Sequence, residues 1–578
     1  MRHSALLWLL VLLTTAAHIL HAQDFPTDYF DPPLHRATSL SASFAEIRPN
    51  HFHSGLDLRI GGKIGEPVYA PADGYVSRIA VSPWGGGKVL YLTHPNGYRT
   101  AFMHLNDFCG AIGAWVHDYQ YAHHVYAFDA APTETADTMW VKKGQLVAHA
   151  GNTGGSGGPH LHYDIRYAHN DQPINPLYFG LPLNDVVPPV IRGIRLYAAD
   201  AVSTVGKGSM LSLLSTTRTR KGSQSRWLDT VDVSGRFYTG IYTTDVSEPG
   251  TQGKNGVESI ELYLDGHKVY SYGVRTFLFE ETRVVNALID YAEYRRSREY
   301  YLLSRVLRGV RTPCVWAEGG GIFVFDEPGT HQLEYVVKDY KGNTARRRFA
   351  VRYRPTATGV VRSPETDTLS AFEPIAYYKK KRLVRTGFEV DMAEYTVYDN
   401  DLLTYTSGQH PKMLTPTHHV SPTRHPLPPH KMLTVRIAKP EVPPELQHKL
   451  VVVCIDGKDI RYCGARHEDD YLAGRSGTWG TFAITLDTTP PTLQPVGLAA
   501  KGQCATGNVQ VKIGDDLSGI GSYHCYVNEQ WVLSEYDGKT RTLTTDARAF
   551  LHKGRNEVRY IITDEVGNRT ERTLILQH

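Results

Sequence analysis

Polar and apolar residues alternate with a period of two through most of this chain, the pattern of strands buried on one face. The alternation is written twice in nearly the same words. Gly329 begins GTHQLEYVVKDYKGNTARR and Gly554 begins GRNEVRYIITDEVGNRTER. Both run through alternating apolar positions into Tyr, two apolar residues, Asp and Gly-Asn, then leave on a polar segment. This predicts one hairpin used twice, with Gly-Asn at the turn. Asp185-Val-Val-Pro-Pro and Asp487-Thr-Thr-Pro-Pro open the two copies, because paired prolines hold extended backbone. A helical period appears in two places only. Ile112, Trp115, Val116 and Tyr119 form one stripe. The stretch from Thr282 to Leu307, with Val285, Leu288 and Ile289 and then Tyr300, Leu303 and Leu307, predicts one or two amphipathic helices.

These elements predict a mainly β protein: an antiparallel β-sheet domain followed by tandem β-sandwich domains, Ig-like by pattern, with a small helical insertion. The expected order is a signal peptide at 1–22, a domain at 23–184 that holds the candidate chemistry, and a sandwich at 185–355 carrying the helical insertion at about 282–307. A β-rich domain at 356–486 and a second sandwich at 487–578 complete it. Arg295, Arg296, Arg298, Arg305 and Arg308 lie on the polar side of the insertion; docking an anionic polymer is one reading and a solvated face the simpler one. His418, His419, His425 and His430 fall in a Pro/His-rich loop expected at 415–431 and read as loop residues.

The N-terminus begins Met1-Arg2-His3-Ser4, continues with an apolar run from Ala5 to Leu13, and reaches small Ala22 before Gln23. A basic start and an apolar stretch too short to span a bilayer predict a secretory signal, the alternative being an uncleaved anchor. The expected location is therefore outside the cytoplasm: the periplasm, or a secreted or cell-surface state. No later apolar stretch approaches the ~18 residues of a membrane span. With a net charge of +3 over 578 residues, 21% charged and 41% hydrophobic, the chain has too little basic excess for a nucleic-acid binder and too ordinary a balance for a disordered one. Export permits disulfides. Cys454 and Cys463 flank an Asp456-Gly457 turn, and Cys504 and Cys525 share one expected domain. Cross-strand bridges and free buried thiols both fit these positions.

The chemistry concentrates before residue 184. His53-Ser-Gly-Leu-Asp57, Phe102-Met-His104-Leu105 and Gly157-Gly-Pro-His160-Leu-His162 occur in that order. Strand alternation points His160 and His162 to one face, and Gly55 permits a bend between His53 and Asp57. Two imidazoles and a carboxylate suit a catalytic zinc that keeps one position open for water. An H-x-H pair is expected about once by chance in a chain with this many histidines, and His51-Phe-His53 is a second instance, so the pair decides nothing alone.

With its surroundings, the stretch from about 40 to 180 resembles the catalytic domain of lysostaphin-type (LytM-type, glycyl-glycine endopeptidase-like) zinc peptidases. The shared text includes Pro67-Val-Tyr-Ala-Pro-Ala-Asp-Gly74, Thr93-His-Pro-Asn-Gly97, Val141-Lys-Lys-Gly-Gln-Leu146 and Gly151-Asn-Thr-Gly154. The resemblance implies metal ligands at His53, Asp57 and His162, catalytic imidazoles at His104 and His160, Zn2+ as cofactor, and peptidoglycan peptides as substrate. Asp164 stands where relatives commonly carry Glu. The role of base stays open between His104 and His160.

Other candidates are weaker. Gly154-Gly-Ser156-Gly-Gly158 fits the spacing of a nucleophile elbow, but glycine on every side predicts a loop entering a strand. His51 reads as a groove neighbour and His94 as a turn residue. Arg48 reads either as an ion-pair partner or as a holder of a substrate carboxylate. The aromatic insertion between Leu105 and Val141 packs on the sheet or walls a groove. The rival functions are a catalytically silent wall-binding or hydrolase-regulating protein, and a surface adhesin built on the sandwich units.

Overall fold

The computed structural model describes residues 25–132, 139–219, 222–248, 255–355 and 372–578; the expected signal at 1–22 lies outside the described residues. The fold is mainly β, with antiparallel sheets and few helices. Among the described residues no helix is long and apolar enough to cross a membrane.

The strands that matter for the site are β1 (Leu40–Ala42), β2 (Leu56–Arg59), β3 (Gly74–Val81), β4 (Lys88–Thr93), β5 (Tyr98–Met103) and β6 (Leu105–Phe108). After helix α1 (Gly110–His123) come β7 (Phe128–Ala130), β8 (Leu146–Ala150) and β9 (His160–Tyr167). One sheet runs β1-β2-β9-β5-β4-β3-β7, and β8 bridges Glu66–Tyr69 and β6 in a second. The interior of β9 is buried throughout, which the apolar Leu161, Tyr163 and Ile165 permit on one face. Its other face carries His160, His162 and Asp164, so partners must satisfy them.

The aromatic insertion after β6 is a helix packed on the sheet. Ile112, Val116 and Gln120 are its buried positions, and Trp115 and Tyr119 pack on Phe128. Both copies of the repeated segment fold as hairpins, Gly329–Lys338 with Thr344–Arg354 and Arg555–Asp564 with Arg569–Gln577. The helical insertion is shorter than its sequence period predicts. A 3-10 turn at Phe279–Val284 leads to helices Val285–Leu288 and Tyr291–Ser297, and Arg298 ends the last in a left-handed cap with φ 64°. Tyr300, Leu303 and Leu307 lie beyond it, with Leu302–Leu303 forming a strand. Arg296 pairs with Glu293 and Arg308 with Asp399, which fits a solvated basic face.

Of the two readings of the cysteines the free thiol holds, and one expectation about the histidines changes. All six cysteines are free thiols. Cys454 lies across from Arg461, and Cys463 falls at the irregular step opposite Val452 and Val453, so the two are out of register for a bridge. His418 and His419 are strand residues of Thr417–Pro422, with His418 stacked on Phe388 at 4.4 Å, because the Pro-rich loop begins only after them.

Candidate metal centre

Sheet register assembles the centre. β9 lies between β2 and β5, and pairing sets His162 opposite Asp57 on one side and opposite Met103 on the other. His160 shares the face of His162 by strand alternation. His104 joins β5 to β6 in the left-handed region, φ 61°, with its amide donating to Gly86 O at 2.7 Å. A non-glycine residue there costs of order 1 kcal/mol or more, which the surrounding structure must outweigh. His53 follows the short hairpin of Ile47–Arg48 with His51–Phe52. Gly55 has no positive φ. Its need is close approach, since a Cβ there would stand 2.2 Å from Asp164 Oδ1 and 2.3 Å from Tyr163 O.

The donor atoms of His53, Asp57 and His162 all lie within 4.8 Å of one another, and the three residues are buried. His53 Nε2 and His162 Nδ1 are each 2.9 Å from Asp57 Oδ1, and 2.9 Å from each other. The far nitrogens are already committed. His53 Nδ1 donates to Ser43 O at 2.7 Å, and His162 Nε2 donates to Asp164 Oδ1 at 2.6 Å. Neutral imidazoles held this way present two nitrogen lone pairs and a carboxylate oxygen to one point, with no proton to share among them. A cation is the partner this donor set fits, and zinc takes such His and Asp ligands.

Electrostatics agree. Burial opposes charge on His162, but Asp164 and Asp57 outweigh it and lift the imidazole to about 9. Positive charge is therefore favoured at this position, as a proton or as a metal ion. His53 moves the other way, its burial dominating. Asp57 stays well below the usual carboxylate range: burial opposes this, and the His53 charge and the bonds from His160 and His162 prevail. Arg48 Nη2 holds Asp57 Oδ2 at 2.7 Å, so Arg48 is an ion-pair partner.

The two remaining imidazoles face the trio from the other side. His104 Nδ1 donates to Thr153 O at 2.8 Å and His160 Nδ1 to Gly158 O at 2.8 Å, which leaves His160 Nε2 facing Asp57. Their rings are 4.8 Å apart, His104 is 6.1 Å from His162, and His160 Nε2 is 3.4 Å from Asp57 Oδ1. Burial first, then the neighbouring His162 and His160, push His104 down to about 3.

The sequence-derived five thus converge. His51 is exposed and turned to Pro49 O. Ser156 bonds Gly158 O in a loop entering β9. His94 opens the Pro95–Gly97 turn as expected, with Gly97 N donating to its O at 3.2 Å, and it is also buried, bridging Asp73 O and Thr100 Oγ1 at 2.9 Å each. Sequence reasoning passed over Arg166, which is buried and pairs Asp164 Oδ2 through Nε at 2.8 Å. It also passed over Glu46, which burial first and then the charge of Asp57 raise to about 7 despite the opposing Arg48. Arg166 sits four residues after His162 on the same strand face, a signal that strand alternation contains.

Comparison with known proteins agrees in extent. The family model described as Peptidase family M23 matches residues 51–121 and 114–176, and a Zu5-like domain matches 373–487. An uncharacterized metalloprotease of Haemophilus influenzae is 33% identical over 159 residues, covering 26% of this chain and 27% of its own length. Peptidoglycan DD-endopeptidase ShyA of Vibrio cholerae is 29% identical over 136 residues, covering 24% and 25%. The chain thus spans about a quarter of the length of these curated relatives. Among solved structures, a zinc containing peptidase from Vibrio cholerae is 25% identical, covers 27% of this chain and 41% of its own, and has a TM-score of 0.20. Through residues 51–176 the chain carries a domain of peptidase family M23, the lysostaphin/LytM type.

Proposed function

We propose that this protein is an exported zinc metalloendopeptidase that hydrolyses peptide bonds of bacterial peptidoglycan, in cross-bridges or stem peptides. His53, Asp57 and His162 serve as metal ligands, and His104 and His160 as the catalytic imidazoles. The observation that carries this reading is the convergence of ligand atoms of His53, Asp57 and His162 within 4.8 Å of one another, with the imidazoles of His104 and His160 beside them. Relatives named as peptidoglycan DD-endopeptidases and as a DD-carboxypeptidase/endopeptidase support the substrate class. On this reading residues 23–184 perform the reaction, and the units at 185–355, 356–486 and 487–578 position it.

A zinc ion held there would polarise the scissile carbonyl and acidify a water molecule. The rest falls to the chain. His160, oriented by Gly158 O, accepts the water proton at Nε2 and returns it to the departing amine. His104, oriented by Thr153 O, accepts a hydrogen bond from the same water and fixes its line of attack. Asp164 and Arg166 keep His162 in the tautomer that offers Nδ1.

Purified protein is expected to carry about one zinc per chain and to release new amino termini from peptidoglycan. His160→Ala is expected to keep the zinc and lose at least 100-fold in rate, while His162→Ala loses both. Zinc-replete wild-type protein that frees no amine from any wall preparation would instead favour a silent, wall-binding or regulatory role.

A further inference from the structure

Outside the catalytic centre, each copy of the repeated unit gathers three aspartates. Asp185, Asp245 and Asp339 present oxygens within 4.8 Å of one another, and so do Asp487, Asp515 and Asp564. The members correspond by position in the fold. Asp185 and Asp487 open the Asp-x-x-Pro-Pro entrances. Asp245 and Asp515 follow strands Phe237–Thr244 and Asn508–Gly514, and Asp339 and Asp564 begin the Gly-Asn turns. One asparagine secures the geometry in each unit. The Asn343 side chain donates to Asp185 O at 3.2 Å and Asp339 Oδ2 at 2.9 Å; that of Asn568 donates to Asp487 O at 2.9 Å and Asp564 Oδ2 at 2.7 Å.

Acidic residues cluster for many reasons, so the decisive observations are oxygens left over. Among the described residues Asp245 Oδ1 and Asn255 Oδ1 have no hydrogen-bond partner, although Asp245 and Asn255 are only 5% and 4% exposed. Both residues line one cavity of about 30 Å3 with Asp185 and Ser247. In the second unit Asp487 Oδ1, Asp515 Oδ1 and Ser518 Oγ are likewise unpartnered, with Asp487 2% and Ser518 6% exposed. The amides of Ser518 and Gly519 bond the other oxygens of Asp487 and Asp515, which fixes both carboxylates. A buried acceptor without a donor is destabilising, and here the same arrangement of unpartnered oxygens is built twice.

We propose that each unit binds one calcium ion, held by the Asp185–Asp245–Asp339 and Asp487–Asp515–Asp564 carboxylates. All donors are oxygens, which selects a hard cation over zinc or copper. Donor atoms up to 4.8 Å apart can share an ion with bonds of about 2.3–2.6 Å, whereas magnesium requires shorter, near-ideal octahedral bonds. Asn255, Ser247 or Ser518, backbone carbonyls and water supply the remaining coordination. Burial, together with the charges of Asp185 and Asp339, raises Asp245 to about 7, as expected of a carboxylate awaiting a counter-charge.

The test uses the zinc-loaded full chain, dialysed free of calcium, with radiolabelled Ca2+ in equilibrium dialysis at 1 mM. The wild type is expected to bind about two ions per chain, Asp245→Asn and Asp487→Asn about one each, and the double variant none. His53→Ala, altered at the other centre, is expected to keep both. Calcium is expected to raise the wild-type melting temperature by several degrees. Without calcium, Asp245→Asn is expected to melt no lower than wild type, since it removes a repelling charge. That comparison also reports whether the variant folds. Absence of binding by the wild type, two ions retained by the double variant, or equal binding of Mg2+ in competition would each overturn the proposal.

Discussion

At the scale of single residues, His160 and His162 were legible through strand alternation and His53 and Asp57 through their spacing, while His104 was legible only through the resemblance to the lysostaphin-type domain. Their wiring was not. Ser43, Thr153 and Gly158 orient three of the four imidazoles through backbone carbonyls, which no residue type announces. Gly55 was read as a bend, which it forms, but its close contact with β9 was not visible. His94 was read as a turn residue and is also buried, where desolvation lowers it to about 4 from an ordinary 6.5. The sign of its effect on stability follows. Above pH 6.5 His94 is neutral folded or unfolded and contributes no pH dependence. Between 6.5 and 4 only the unfolded chain takes up the proton, so stability falls as pH falls, by about 2 kcal/mol at pH 5. Urea unfolding at pH 7.5 and pH 5 is expected to show this loss in wild type, and a loss smaller by about that amount in His94→Asn.

At the scale of elements, the hairpins and their Gly-Asn turns were legible because local chemistry dictates them, whereas the contacts between distant elements were not. The loop at 82–87 and the loop at 151–155 support His104 through Gly86 O and Thr153 O. Both are pinned by residues over 380 positions away. Lys88 pairs Glu535 at 2.8 Å, Lys539 bonds Asn152 O, and Trp84 packs edge-on to Tyr536 and against Gly538. On α1, His124 stacks on Trp531 at 4.7 Å. The last unit therefore braces the loops that hold His104 beside the candidate metal centre. Trp84→Ala is expected to leave zinc content unchanged while lowering kcat several-fold, because a loosened loop misplaces His104 without touching a ligand. Unchanged kcat in a folded, zinc-loaded Trp84→Ala would remove the brace from the account. The opposite side is walled by the helical insertion, where Thr282 Oγ1 accepts the Phe52 amide at 2.7 Å and Asn286 meets Asn50. Its amphipathic period was visible in the sequence, its docking partner was not, and its early end at Arg298 reflects a left-handed cap that arginine does not signal.

At the scale of the whole molecule, the largest apolar cluster runs without interruption from Phe30 through Leu56, Tyr163 and Phe179 into Ile194, Phe237, Tyr335 and Tyr398. Sequence patterning divides the chain at Pro-rich junctions, where backbone preference changes; the cluster disregards the division near 184, because Leu181 and Leu183 are themselves buried in it. In a scanning calorimeter, the first two-thirds of the polypeptide should accordingly absorb heat in one endotherm rather than two. Expressing the stretch that ends at residue 184 by itself should give aggregated material, in contrast to a self-sufficient hydrolase module. A gene fusion cut at residue 184 would therefore not transplant the first unit intact, since the apolar side chains that complete its cluster would stay behind with the donor.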